Sequence, residues 1–168
     1  DLTELTLALG ARMLVLGKAA RNVEQGIATL RKKIASAEGF EKFKEMVRLH
    51  GGKTDFIDQP SRLPRAGLHA PFPARRNGFI SAVDAELIGR ACIVLGAGRR
   101  TVDDRIDHSA GITGIVKIGE KVEKNQPLLV MHANDRRKLD EATALIEKAF
   151  NFSDKRVPPP KLITDVIT

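Results

Sequence analysis

The pattern of hydrophobic and polar positions divides the chain into a helical first part and a mixed second part. Residues 2–16 are mostly apolar, and Glu4 and Arg12 are their only charged side chains. Asp1 before this run and Gly17 after it are residue types that begin and end helices. Because a helix that is apolar on all sides must be buried on all sides, we expect residues 2–16 to pack against a segment that precedes Asp1 in the complete protein.

Two amphipathic helices are predicted next. Asn22 and Gln25 have the spacing of a capping box, and the apolar residues behind them recur at helical intervals. A second helix is predicted after Gly39, and Gly51-Gly52 is expected to end it. The apolar face of this second helix would consist of Phe40, Phe43 and Val47.

A proline-rich connection separates the two parts. Residues 54–56 predict one short helical turn, and the prolines at positions 60 and 64 predict a surface connection. We place the boundary between Pro60 and Gly67, so that a helical segment covers residues 1–66 and a second domain covers residues 67–168. Pro71 and Pro73 predict an extended edge segment, because neither residue can donate a hydrogen bond to a neighbouring strand.

The second domain is predicted to mix strands with helices. Strands are expected at residues 79–83, 112–118, 127–132 and, after three consecutive prolines, 162–167. Asp84 is suited to cap a helix that Gly96 and Gly98 terminate. Asn134 or Asp135 would begin an amphipathic helix with four inward-facing residues, Leu139, Ala142, Ile146 and Ala149. Strands and helices without regular alternation indicate an α+β fold.

Composition indicates a globular protein. Of the 168 residues, 42% are hydrophobic and 29% are charged, which is ordinary for a domain with a buried core. No apolar run approaches the roughly 20 residues that span a bilayer, and the first residues do not have the pattern of a signal peptide, so we expect no membrane partner. The single Cys92 fits inert packing in a reducing compartment, which favours the cytoplasm.

The net charge of +7 raises the question of nucleic-acid binding. The basic residues occur as short clusters with acidic residues nearby, which is typical of a mixed, solvated surface. The chain contains no Trp and no Tyr, so aromatic platforms for stacking bases are scarce. We therefore expect no nucleic-acid partner, while the charge is compatible with small anionic substrates.

The stretch Gly96–Arg100, with sequence Gly-Ala-Gly-Arg-Arg, has two interpretations. A phosphate loop follows a strand and opens a helix, whereas these glycines follow a predicted helix. At a helix C-terminus, glycines end the helix and arginines complement its free carbonyl groups. We predict that the two arginines are structural, with the acidic side chains that follow as their partners, namely Asp103, Asp104 and Asp107. An anion site is the alternative.

Asp107, His108 and Ser109 are the residue types of a catalytic triad. Consecutive residues of an extended chain point to alternate faces, so these three are not expected to form a triad among themselves. The four histidines have no spacing typical of metal ligands: His50, His69, His108 and His132. No nucleophile elbow, HExxH or Walker motif is present. The sequence therefore predicts no catalytic, cofactor-binding or metal-binding residue in this chain.

Residues 116–133 are similar to half of a lipoyl or biotinyl carrier domain, and residues 78–83 are candidates for the matching half. Such carriers present a modified lysine at the tip of a tight hairpin. In this sequence the last strand leads into a helix start, which places Lys138 in the first turns of that helix. We expect the scaffold without the carrier activity, and a non-catalytic barrel-sandwich binding or carrier-like module is kept as the alternative function.

The motifs from Gly78 to Ala133 resemble, in their order, the C-terminal region of the pyrimidine-nucleoside and thymidine phosphorylases. They are Gly78–Asp84, Gly96–Arg100, Ile106–Gly111, Lys117–Val122 and Gln126–Val130. The resemblance implies a pentosyltransferase that cleaves thymidine or uridine with phosphate, a co-substrate, to free base and pentose 1-phosphate, without a cofactor. It also implies that residues 1–66 belong to a larger α/β domain and that residues 67–168 form a hammerhead-like, barrel-sandwich-hybrid module.

The family's phosphate-binding Lys-His-Ser/Thr stretch and its base-binding Arg and Ser-x-x-x-Lys segment have no counterpart here. We therefore expect this chain to be the C-terminal portion of a homodimeric enzyme, structural by itself and inactive alone. Its expected partners are the N-terminal half of the same enzyme and, in the intact enzyme, the pyrimidine nucleoside and phosphate. The choice among thymidine, uridine, both of these or a nucleotide is not encoded here, because the base pocket belongs to the absent segment.

Overall fold

The computed structural model describes residues 1–167, which divide into two units. The first unit contains residues 1–62 together with the C-terminal segment from Lys161, and the second unit contains Leu63–Pro160. The first unit is helical, whereas the second combines helices with antiparallel sheets. The predicted α+β class is therefore confirmed. No helix among residues 1–167 is both long and apolar enough to cross a membrane.

The first unit contains four helices. They are α1 (Leu2–Leu16), α2 (Val23–Ala35), α3 (Glu38–Leu49) and the single turn α4 (Asp55–Asp58), which precedes a 3₁₀ turn at Pro60–Arg62. The predicted capping box is present, since Asn22 Oδ1 accepts from the Gln25 N–H at 2.9 Å. Gln25 Oε1 accepts from the Arg21 N–H at 2.8 Å, one residue earlier than in the usual box.

Helix α3 begins at Glu38, two residues before Phe40, the first residue after Gly39, where the helix was predicted to start. The difference arises at Ala37, which has a left-handed conformation with φ 58°. Its carbonyl group accepts from the N–H groups of Phe40 and Glu41, so the first turn of the helix closes on Ala37. A non-glycine residue in this conformation is uncommon, and sequence patterns do not reveal it.

Helices α1 and α2 pack closely through small residues. Ala11 is fully buried, and a Cβ atom added to Gly26 would lie 2.9 Å from the Ala11 Cα. Such a distance is too short for a real side chain, so Gly26 permits the close approach of the two backbones. Leu7 is the other buried residue of α1, and the helix exposes four large apolar side chains within the described chain, namely Leu2, Leu9, Met13 and Leu16.

The second unit contains six strands and two helices. In chain order they are β1 (Leu68–Pro73), β2 (Gly78–Val83), α5 (Ala85–Leu95), β3 (Gly111–Thr113), β4 (Lys121–Val122), β5 (Pro127–Ala133), α6 (Arg136–Ala149) and β6 (Phe150–Ser153). One antiparallel sheet has the strand order β1-β5-β3, and the other has the order β4-β2-β6. The proline-containing β1 lies at an edge, as predicted.

The core of the second unit lies between the sheets and the α5–α6 helix pair. Its largest fully buried side chains are Ile80, Leu95, Val122, Leu128, Leu129 and Ile146. Asp84 caps α5 by accepting from the Leu87 N–H at 2.9 Å, and Gly96 ends it with φ 109°. Asp135 caps α6, and the four residues predicted to face inward from that helix are all buried.

Two predicted strands are wrong in extent or position. The strand predicted at residues 112–118 ends at Thr113, because Gly114 turns the chain with φ 65°. No strand forms at residues 162–167, where the prolines at positions 158–160 precede an exposed segment that pairs with neither sheet. The last strand is instead β6, which follows α6 directly with no turn residue between them to signal it.

Candidate functional site

A polar cluster centred on Asp107 joins three segments of the second unit. We call Asp107, Ser109, Asn134 and the N–H of Gly67 the Asp107 cluster. Asp107 Oδ1 accepts from the Ser109 hydroxyl at 2.7 Å and from its N–H at 3.0 Å. Asn134 Nδ2 donates to Asp107 Oδ2 at 2.7 Å, while Asn134 Oδ1 accepts from the Gly67 N–H at 2.8 Å. The cluster therefore connects the loop after α5, the residue before the α6 cap and the start of β1.

The electrostatics of the cluster hold the Asp107 carboxylate in its ionised form. The Ser109 hydroxyl, the Asn134 amide and the Ser109 N–H lower the pKa of Asp107 from 3.8 to about 2, and the charge of Lys138 adds to this effect. A carboxylate with such a low pKa is a poor proton acceptor near neutral pH. The arrangement is suited to fixing the loop and not to general-base chemistry.

The three triad-type residues are not arranged as a triad. Ser109 donates its hydroxyl proton directly to Asp107, whereas His108 is exposed and takes no part in the hydrogen bonds described for this cluster. A serine nucleophile needs a histidine between it and the carboxylate. Ser109 and Asp107 therefore contact each other directly within the loop, and their geometry is not that of a triad.

The arginines after α5 lie where a helix end was predicted, but the acidic side chain that accepts from the Arg100 guanidinium differs from the prediction. Asp104 binds main-chain groups, accepting from the Arg100 N–H at 2.8 Å and the Thr101 N–H at 3.1 Å. These bonds lower the pKa of Asp104. The Arg100 guanidinium instead donates to Glu141 of α6 at 3.0 Å. Sequence reasoning chose the nearest acids and missed Glu141 because the partner is 41 positions away.

The remaining motif residues have structural surroundings. Lys138 is the third residue of α6, so it lies in a helix and not at a hairpin tip. Burial raises the pKa of the Cys92 thiol, which makes this cysteine less reactive than an exposed one. Among the described residues, no group of three or more His, Cys, Asp or Glu side chains is arranged to hold a metal ion.

A pair of histidines on the outer face of the β1-β5-β3 sheet was not foreseen. His69 and His132 are directly opposite each other in the β1–β5 register, and their Nδ1 atoms are 2.9 Å apart. The Thr113 hydroxyl on β3 lies 2.7 Å from His132 Nε2. The two histidines are 63 positions apart, so only the strand pairing brings them together. The pair could have been found from the sequence only by predicting that β1 and β5 are neighbours and in which register they pair.

Comparisons with known proteins identify the second unit. The pyrimidine nucleoside phosphorylase C-terminal domain family matches residues 79–153, from β2 to the end of β6. Residues 79–153 thus match the C-terminal domain of the pyrimidine nucleoside phosphorylases. The resemblance seen in the sequence motifs is thereby confirmed, and three of the four members of the Asp107 cluster lie inside the matched region.

Individual relatives of this phosphorylase family match the chain along its length. The pyrimidine-nucleoside phosphorylase of Bacillus subtilis strain 168 is 39% identical over 168 residues, which is all of this chain and 38% of that protein. The same figures hold for the enzyme of that name from Staphylococcus aureus strain USA300. That of strain MSSA476 is 38% identical over 167 residues. The chain thus spans 38% of the length of the curated relatives that it matches.

Proposed function

We propose that this chain is the C-terminal part of an enzyme that reversibly cleaves pyrimidine nucleosides with phosphate. The products would be the free base and a pentose 1-phosphate, and thymidine and uridine are the expected substrates. The observation that carries the proposal is the 39% identity to pyrimidine-nucleoside phosphorylases over every residue of the chain. Phosphate is a co-substrate in this proposal, and no cofactor is required.

We assign this chain a structural role in that reaction. The first unit would belong to the larger α/β domain. The second unit, Leu63–Pro160, would form a hammerhead-like, barrel-sandwich module that helps to build one wall of the active-site cleft. The two three-stranded antiparallel sheets support such a module. The hydrogen bonds of the Asp107 cluster, which give this wall its fixed loop, support a positioning role. The substrate-binding and catalytic residues would come from the N-terminal part.

The exposed apolar face of helix α1 supports the proposal that another segment of the enzyme packs against this chain. Leu9 is 56% exposed, Met13 is 70% exposed and Leu16 is 84% exposed, although the helix also buries Leu7 and Ala11 on its other side. An apolar face of this kind marks an interaction surface. We infer that the N-terminal part of the same enzyme covers it, in a homodimer located in the cytoplasm.

A chimeric enzyme tests the proposal. The N-terminal part of the Bacillus subtilis relative, without the region that matches this chain, would be joined to this chain. The chimera should release free base from thymidine or uridine in the presence of phosphate, measured by chromatography. This chain alone, and the N-terminal part alone, should release none above the blank. Circular dichroism and size-exclusion chromatography would establish that each protein is folded.

The outcomes separate the parts of the proposal. A folded chimera without activity would overturn the proposed function, and turnover by this chain alone would overturn the structural role. If the chimera does not fold, the two parts can be mixed as separate proteins and their association measured by calorimetry. The Met13→Glu variant should weaken that association, because it puts a charge into the apolar face of α1, and undiminished binding would refute the assignment of that face.

A further inference from the structure

We propose that His69 and His132 form a binding site for a transition-metal ion such as Zn²⁺, with the two Nδ1 atoms as its protein ligands. This inference is independent of the nucleoside chemistry proposed above. It starts from the register of the sheet, in which His69 of the edge strand β1 faces His132 of the central strand β5. Their side chains stand on the outer face, since the neighbours Met131 and Ala133 are buried in the core.

The two ligand atoms are already close to the separation that a metal requires. Two nitrogens bound to one tetrahedral zinc ion at about 2.0–2.1 Å lie roughly 3.3 Å from each other. The observed Nδ1–Nδ1 distance is 2.9 Å, with the ring centroids 4.9 Å apart and the planes at 84°. A small rotation of the exposed His69 side chain would supply the difference. The pair is therefore preorganised, and the ion would replace the hydrogen bond between the rings.

Thr113 provides the outer-shell partner that a metal-binding histidine commonly has. Its hydroxyl oxygen lies 2.7 Å from His132 Nε2 and can accept the Nε2 proton. A hydrogen bond of this type fixes the tautomer, which leaves the lone pair on Nδ1 free for the metal. The site is thus spread over all three strands of the sheet, with His69 on β1, His132 on β5 and Thr113 on β3.

The surroundings leave room for the other ligands of the ion. The two histidines line an open groove of ≈ 500 Å³, so water or a small anion can occupy the remaining coordination positions. Arg65 lines the same groove, and its positive charge opposes the binding of a cation. Two imidazole ligands favour zinc, nickel or copper over magnesium or calcium, which prefer oxygen ligands.

Titration of the whole chain with Zn²⁺ alone tests the site. Isothermal calorimetry should show one ion bound per chain, and the melting temperature should rise with zinc concentration. His69→Gln and His132→Gln should each weaken zinc binding by more than about 10-fold. Loss of an outer-shell partner already lowers metal affinity by about 10-fold or more, and loss of a direct ligand should lower it further. Thr113→Val should weaken it by about 10-fold, whereas Arg65→Gln should strengthen it by removing the opposing charge.

The matched controls are the two histidines outside the pair. His50→Gln and His108→Gln should leave the zinc affinity unchanged. Cu²⁺ bound to the unaltered chain should show electron paramagnetic resonance couplings from two nitrogens, and from no more than one in the His69→Gln variant. His69 is exposed on an edge strand, so this variant keeps the test valid if the His132 variant does not fold. The proposal is overturned if the chain binds no zinc, or if His69→Gln binds it as tightly as before.

Discussion

The Asp107→Asn variant would test whether the carboxylate organises the loop after α5. Asp107 accepts two hydrogen bonds from Ser109 and one from the Asn134 amide. An asparagine side chain can keep one accepting oxygen for Ser109, but its own NH₂ group then faces the Asn134 NH₂ group. Two NH₂ donors would then face each other at the position where Asn134 Nδ2 now donates to Asp107 Oδ2. The variant therefore loses the Asn134 bond without any change in side-chain size.

The magnitude can be worked out in two ways. Loss of a hydrogen bond to a charged group costs about 1.5–3 kcal/mol. The lowering of the Asp107 pKa from 3.8 to about 2 corresponds to roughly 2 kcal/mol of preferential interaction with the ionised form. Because the side chain is partly exposed to solvent, which screens the charge, about 2 kcal/mol is an upper bound for the free energy of unfolding lost.

Urea unfolding followed by far-ultraviolet circular dichroism is the appropriate assay, since the chain has no Trp or Tyr to report by fluorescence. Hydrogen exchange would locate the loss of stability to the segments joined by the Asp107 cluster. The reciprocal double variant Asp107→Asn with Asn134→Asp exchanges donor and acceptor across the bond between these two side chains. It should recover only part of the loss, because Asn134 Nδ2 also donates to Ser109 Oγ at 2.8 Å and an aspartate cannot. If the double variant is no more stable than the sum of the two single changes predicts, the proposed geometry is refuted.

The acid dependence of stability provides a second measurement on Asp107. Its folded-state pKa is lower than its unfolded value, so its contribution is fully present above about pH 4. The contribution is lost as the pH falls towards about 2 and the folded carboxyl group takes up its proton. The difference in unfolding free energy between the unaltered chain and Asp107→Asn should therefore be constant near neutral pH and shrink between pH 4 and 2. A difference that persists at pH 2 would contradict this assignment.

Two further predictions concern packing and surface charge. Gly26→Ala should destabilise the first unit by about 1–3 kcal/mol, since its Cβ would collide with the Ala11 backbone, whereas Gly39→Ala, with no atom within 4 Å, should change stability by less than about 1 kcal/mol. Equal melting temperatures for the two variants would contradict the close helix contact. Arg100→Ala should cost less than about 1 kcal/mol, because the Arg100–Glu141 pair is more than half exposed, and should leave the phosphate affinity of the intact enzyme within a few-fold. A large rise in the phosphate KM would show that this loop reaches the active site.

Local signals explain why most helices could be predicted from the sequence. The caps at Asn22 and Asp84 bind N–H groups three residues ahead, so the information lies within one helical turn. The strands were harder, because a strand is defined by its partner as well as by its own residues. Residues 162–167 have apolar side chains but no partner strand, whereas β6 has a partner in β2 and no turn signal before it.

The Asp107 cluster and the histidine pair could not be predicted from local sequence patterns, because their partners are also distant in the sequence. Asn134 meets Asp107 across 27 positions, and His132 meets His69 across 63. Sequence spacing correctly indicated that Asp107 and Ser109 act locally, since both of their mutual hydrogen bonds join residues two positions apart. Sequence spacing could not identify Asn134 as a member of the cluster. The position of Asn134 depends on β5, the strand that leads to the start of α6.

The family motif around Asp107 is, in this structure, a packing motif. Its carboxylate accepts from a hydroxyl, an amide and a main-chain N–H, and each donor comes from a different chemical group with its own required direction. Glutamate would place the carboxylate one methylene further out, and asparagine would present a donor, so few side chains can satisfy the site. A residue constrained in this way serves the architecture of the second unit. For this reason we expect thymidine and uridine to be distinguished by residues outside this chain, and exchange of the N-terminal part in the chimera should change that preference while exchange of this chain should not.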